Sequence, residues 1–260
     1  MTVSILCVLY CIDLVNDLIM SETLKKVAKR MVKDLSSLSF SNPVTHTYNP
    51  LVYAWEPHAL YLEKYAQGKK RVLFLGMNPG PWGMAQTGIP FGEIAAVSEW
   101  MGIQTLVASP ENEHPKRPIQ GFGCPRSEVS GKRLWGLFSE LYPNPNDFFA
   151  DHFVTNFCPL VWMGESGKNI TPDKLSKAES EPVDVACRWH LAQMINEMQP
   201  EFLVGVGAFA EKQLKATVKE HMPAYAGQIG KILHPSPASP AANRGWAEAA
   251  TKQLKEQEVW

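Results

Sequence analysis

Residues 72–93 read VLFLGMNPGPWGMAQTGIPFGE, and this stretch decides how the rest of the chain is read. Residues 72–75 form a continuous apolar run, short enough for a strand buried on both faces. The run breaks into residues 76–93, where prolines fix φ and glycines let another group approach the main chain closely. The spacing is not the G-x-G-x-x-G of a dinucleotide site, and it lacks the Lys-Ser/Thr ending of a phosphate loop. A tight structural turn needs fewer special residues, so the loop reads as a ligand site at the end of a buried strand.

Working outward, residues 153–157, 202–206 and 229–233 read as further strand candidates. Helical spacing appears at 61–65, 93–101, 130–141, 183–198, 208–221 and 246–257. Over residues 21–40, Leu24, Val27, Met31, Leu35 and Leu38 recur on one helical face, with Ser21 as the expected N-cap. Short apolar strands alternating with helices predict an α/β fold, a three-layer α/β/α sandwich around a central, mainly parallel sheet. Pro79, Pro159 and Pro235 each follow a strand end, which is the edge where such sheets bind ligands.

Composition limits the partners. The 260 residues carry a net charge of −1 and 45% hydrophobic residues, so no overall basic character announces a nucleic acid. Positive charge is local: Lys69–Lys70–Arg71, His114 with Lys116 and Arg117, and Lys132–Arg133, each read singly as a solvated face. Cys7, Cys11, Cys124, Cys158 and Cys187 form no C-x-x-C pair, which points to reduced thiols and to no metal centre. The apolar stretch 1–12 has no leading Lys or Arg and is too short to span a bilayer. Met20 is an alternative start, so residues 1–20 are set apart as an extension without an assigned role, and 21–260 as a single domain.

Two more stretches carry candidate chemistry. Residues 234–246, HPSPASPAANRGW, place a His at a strand end, followed at once by spaced prolines that stiffen a protruding loop. Residues 153–160, FVTNFCPL, place Asn156 at another strand end aimed at the same edge. Taken singly, the His reads as a satisfied structural residue and the Asn is weak evidence.

Together, GMNPG, the N-x-C-P-L strand end and HPSP resemble the single-strand-selective monofunctional uracil-DNA glycosylases. The resemblance runs from about Phe40 to Ala250 and includes AWEPH, EHPKRP, SEVSG and LVGVG. It implies a uracil-DNA glycosylase-like fold and a base-excision repair hydrolase that flips uracil or 5-hydroxymethyluracil out of DNA, single- or double-stranded. Asn78 then positions the hydrolytic water and His234 is the second catalytic residue. Phe91 stacks on the flipped base, Asn156 reads its edge, and Gly80 and Met84 line the pocket beside its 5-position. Residues Pro235, Ser236, Pro237, Ala238, Ser239 and Arg244 contact DNA. The resemblance further implies a monomer in the nucleus, with no metal, no cofactor and no membrane partner. No Lys within these motifs suits Schiff-base chemistry, in keeping with an enzyme that leaves an abasic site.

The chain departs from the family pattern at two places. Trp82 stands where Phe is common. Ala238 stands where family members often carry an Arg that enters the space left by the flipped base. Ala238 is too short for that, so a stronger bias toward single-stranded uracil is expected, unless the proline-stiffened loop fills the gap. A DNA-binding protein on a degenerate scaffold is the alternative reading, against which stand the intact Asn78, Phe91, Asn156 and His234. A nucleotide-binding α/β protein is the third, and the missing phosphate fingerprint speaks against it.

Overall fold

The apolar runs between helical patterns do form parallel strands. The computed structural model describes residues 2–260, with side chains from residue 17 onward; the apolar side chains of 1–12, with Cys7 and Cys11, lie outside the described residues. In chain order the first half comprises α1 (Thr2–Ser36), β1 (His46–Tyr48), α2 (Pro50–Tyr53), α3 (Trp55–Tyr65), β2 (Val72–Gly76) and α4 (Met84–Thr87). A π-helical turn, Ala96–Trp100, precedes α5 (Val129–Leu141), α6 (Pro145–Asp151), β3 (His152–Asn156), β4 (Val161–Met163) and β5 (Asn169–Ile170). The chain closes with α7 (Lys177–Met198), β6 (Phe202–Val206), α8 (Ala208–His221), β7 (Gln228–Ile232), α9 (Pro240–Asn243) and α10 (Trp246–Glu256).

The central sheet is four-stranded in the order β3-β2-β6-β7, and every neighbouring pair is parallel. Its strands β2, β3 and β6 are buried at every position, which is why they read as unbroken apolar runs. Helices α1, α3, α7 and α8 pack against one another on one side, while α5 and α10 pack together with the π turn and α9 on the other. The chain leaves β2 toward β3 and leaves β6 toward β7, in opposite directions. A crevice therefore opens between the carboxyl ends of these strands, and ligands of α/β sheets bind in such crevices. Beneath it, aromatic rings fill the core: Tyr61 lies 4.9 Å from Phe153, and Phe138 lies 4.5 Å from Phe148. Each such ring contributes about 1.5–3 kcal/mol by burial.

Three expectations need correction. Ser21 does not cap a helix, because α1 runs through it and its Oγ donates back to Leu18 O at 3.0 Å. No Pro or Gly interrupts residues 2–36, so nothing local stops the helix earlier. It ends at Ser36, short of Phe40, where Ser36 and Ser37 bond the carbonyls of Lys33 and Asp34. Helix α7 begins at Lys177, ahead of Pro182, because Ser176 and Glu179 form a capping box. A second, antiparallel sheet, β1-β4-β5, was not foreseen. Among the described residues no helix is long and apolar enough to cross a membrane.

Candidate active site

Three strand ends deliver the three motifs to one place. Gly76, the last residue of β2, pairs in register with Asn156, the last of β3. The ladder continues past both, with Phe157 N donating to Gly76 O and Cys158 N to Met77 O, each at 3.0 Å. His234 follows β7 at the same edge. A cavity of about 210 Å³ opens there, lined by Asn78, Gly80, Met84, Phe91, Asn156, His234, Ser236 and Pro237 among others. That is below the roughly 300–1,000 Å³ of drug-sized sites and suits a single heterocycle. Thus all six residues expected at the base and its bond come together.

Their polar atoms are set for a ligand. Asn156 is buried; its Nδ2 donates to Met84 Sδ at 3.2 Å, while its Oδ1 is buried without a hydrogen-bond partner. Asn78 donates from Nδ2 to Leu160 O at 3.0 Å, which fixes the amide and leaves Oδ1 as its acceptor. The ring of Phe91 stands 6.3 Å from that of His234, inclined by 44°. Phe91 adopts φ +53°, a conformation that costs a non-glycine residue about 1–2 kcal/mol and is tolerated where it holds a functional side chain. Gly76 makes room for both walls: a Cβ there would overlap Asn156 Oδ1 and the Phe91 ring. Burial pushes the His234 imidazole below its ordinary range, so it is neutral near pH 7.

The second loop reaches the cavity only through its first residues. Ser236 and Pro237 line it, whereas Ala238 and Arg244 are exposed and outside the lining. Pro235 is buried, and Ser239 spends its hydroxyl capping α9 through Ala242 N at 3.3 Å. The loop is braced by Arg133 of α5, whose Nη1 donates to Pro235 O at 3.1 Å and Ser236 O at 3.2 Å, and whose Nη2 donates to Asn243 Oδ1 at 2.8 Å.

Arg133 therefore belongs to no solvated face, and neither does Lys70, which is buried and donates to Phe149 O. His114 is likewise buried, against Glu165 O. Two residues went unassigned in the sequence reading. Gln86 is fully buried and uses its whole amide: Nε2 donates to Pro81 O and Pro118 O, while Oε1 accepts from Gln120 N and Gly121 N. Glu128 lines the cavity itself. Two guanidinium groups lie over the Trp82 ring, Arg117 at 5.1 Å and Arg126 at 4.6 Å from its centroid. Cys124, Cys158 and Cys187 are unpaired and buried, and among the described residues no three His, Cys, Asp or Glu side chains cluster as metal ligands.

Comparison with known proteins places the chain in a family. The sequence model of the uracil DNA glycosylase superfamily matches residues 63–257. The single-strand selective monofunctional uracil-DNA glycosylase of Rattus norvegicus is 48% identical over 227 residues, covering 87% of this chain and 81% of that protein. Its namesake from Bos taurus is 47% identical, covering 87% and 83%. In three dimensions the chain is similar to the wild-type SMUG2 crystal structure from Pedobacter heparinus, with a TM-score of 0.62, 16% identity, and coverage of 90% of this chain and 99% of that one.

Proposed function

Since the chain belongs to the uracil DNA glycosylase superfamily, among the single-strand-selective monofunctional uracil-DNA glycosylases, we propose that it hydrolyses the N-glycosidic bond of uracil flipped out of DNA. One observation carries the reading: the buried, unpartnered Oδ1 of Asn156 in the same cavity as the ring of Phe91. An orphan buried acceptor costs about 1–3 kcal/mol and awaits a donor. The ring N–H of uracil is that donor, and the adjacent 4-carbonyl accepts from Nδ2 once the amide leaves the Met84 sulfur. Cytosine presents an unprotonated ring nitrogen and an amino group to the same amide, so both contacts fail. Phe91 replaces the stacking that the flipped base gives up.

The chemistry follows from placement. As the bond to deoxyribose breaks, negative charge gathers on the base and positive charge on the sugar. The neutral His234 imidazole donates to the 2-carbonyl, where the charge develops. Asn78 Oδ1 orients a water toward the sugar carbon; an oxocarbenium-like centre needs little base strength from its partner. No lysine lines the cavity among the described residues, so the nucleophile is water and the product an abasic site. The pocket beside Gly80 and Met84 also takes 5-hydroxymethyluracil, whose hydroxyl replaces the hydrogen bonds of a displaced water, which the methyl of thymine cannot do.

Incubation with an end-labelled uracil oligonucleotide, followed by hot alkali, tests this. Cleavage at uracil is expected. A gel shift without cleavage would instead mean a DNA-binding protein on the same scaffold.

A further inference from the structure

Glu128 occupies the N-cap of α5 without a well-formed capping hydrogen bond, the amide of Ser130 in the first turn lying only near its carboxylate. Asp, Asn, Ser or Thr would serve that position better, and departures from local preference gather at functional sites. The carboxylate is turned instead into the cavity wall, against the loop that carries Asn78. A Cβ on Gly80 would overlap Oε2 of Glu128, and one on Gly83 would sit 2.9 Å from its Cγ. The two glycines therefore leave space that this one side chain fills. Burial raises the carboxyl above its ordinary range; the amides of Trp82 and Ser130 pull the other way, but Oε2 remains buried without a hydrogen-bond partner. A half-satisfied carboxylate at a ligand cavity is costly unless something bound there completes it.

The orientation proposed above fixes what it meets, and the inference rests on that reading. With Asn156 on the N3–O4 edge and Met84 beside Asn156 Nδ2, the next ring position is C5, on the Met84 side of a cavity that Gly80 and the carboxylate behind it also line. We propose that Glu128 determines which C5 substituent is accepted, by taking a hydrogen bond from a hydroxyl there, directly or through one water. A methyl offers no donor and strips water from the carboxylate, so it is refused. A 5-carboxyl is repelled by like charge. Gly80 and Met84 shape the pocket; Glu128 reads its chemistry.

The test measures single-turnover release of uracil, 5-hydroxymethyluracil, thymine and 5-carboxyuracil from otherwise identical single-stranded oligonucleotides. Wild type is compared with Glu128→Gln and Glu128→Ala, each checked for folding by its thermal melt. In Glu128→Ala the ratio of 5-hydroxymethyluracil to uracil release falls about tenfold or more, the size expected for a lost hydrogen bond to a charged group. In Glu128→Gln, which keeps the shape and removes the charge, 5-carboxyuracil gains about tenfold relative to uracil. If Ala fails to fold, the Gln ratio decides alone. Ratios that stay at wild-type values while all rates fall together make Glu128 a brace for the loop and overturn the proposal. Wild type that releases uracil but ignores 5-hydroxymethyluracil also overturns it, yet leaves the glycosylase reading standing. Wild type inert toward both overturns the reading of the site, and this assignment with it.

Discussion

The two loops that meet over the cavity are held in opposite ways. Residues 76–93 are anchored from the interior: Gln86 is buried with every polar atom used, Thr87 Oγ1 donates to Gly92 O at 3.0 Å, and Glu93 accepts from Ser127 Oγ at 2.8 Å and Ala96 N at 3.0 Å. Residues 234–245 are mostly exposed or half-buried, and one guanidinium from α5 gathers two of their carbonyls. Under the function proposed above, the first loop presents a preorganised wall to the base, and the second a stiff but lightly anchored edge to the DNA strand. Damage to the first should appear in chemistry and selectivity, and damage to the second in how well DNA is engaged.

His234 belongs to the second loop by sequence but to the cavity by position, so it is the strictest test of this division. His234→Ala should lower single-turnover excision about a hundredfold or more while DNA affinity changes little, because the donor acts on charge that exists only in the transition state. A loss below about tenfold, or one that sits in binding, would erase the distinction between the loops.

Acid should loosen the interior-anchored side. His58 and His190 are buried, and burial lowers their pKa to about 4 and about 3. His58 Nδ1 meets Gly88 O at 2.9 Å, under the first loop. Both folded-state values lie below the unfolded value near 6.5, so the unfolded chain takes up protons first as pH falls. Stability from these two is complete above about pH 6.5 and is lost through the window down to about 4 and 3, at up to ~1.4 kcal/mol per pH unit for each. Urea unfolding at pH 7, 6 and 5 measures the slope, and His58→Asn should flatten it.

Arg133→Met keeps most of the apolar stem and removes the brace. Excision at subsaturating DNA should fall about tenfold or more, as expected for loss of charge-assisted bonds of ~1.5–3 kcal/mol, with a smaller loss at saturation. Equal losses at both concentrations would mean that the loop shapes the chemistry itself. The smallest effect is expected at Ala238. Ala238→Arg should raise excision from duplex DNA a fewfold and leave single strands little changed, since opening a duplex costs a few kcal/mol that a filling side chain partly offsets. Matched substrates at one salt concentration decide it, and equal gains on both would make position 238 a general DNA contact.

What the sequence disclosed followed from how local each signal was. Strands β2, β3 and β6 carry their evidence within five residues, because a strand buried on both faces is apolar throughout. Strands β1, β4 and β5 are two or three residues long, too short for any period to show. Among cavity residues, Asn78, Asn156 and His234 stand in motifs after strand ends, whereas the roles expected of them and of Phe91 came only with the family resemblance. Arg133 was not legible, because its acceptors lie 102 and 103 residues away and only the packing of α5 brings them near. Glu128 escaped for a related reason: in sequence it is an ordinary residue at a helix start, and its meaning lies in the two glycines opposite.

Gly76 sets a limit on how this pocket can change by mutation. Because one Cβ there would invade both the amide of Asn156 and the ring of Phe91, any single substitution at this position displaces both side chains in the same step, and with them the recognition and stacking proposed for them. Selectivity and grip are consequently inherited together at this point of the sheet, and no path of single changes through residue 76 trades one against the other. Variation in what the enzyme accepts has to enter from the opposite wall, where side chains can be exchanged one at a time.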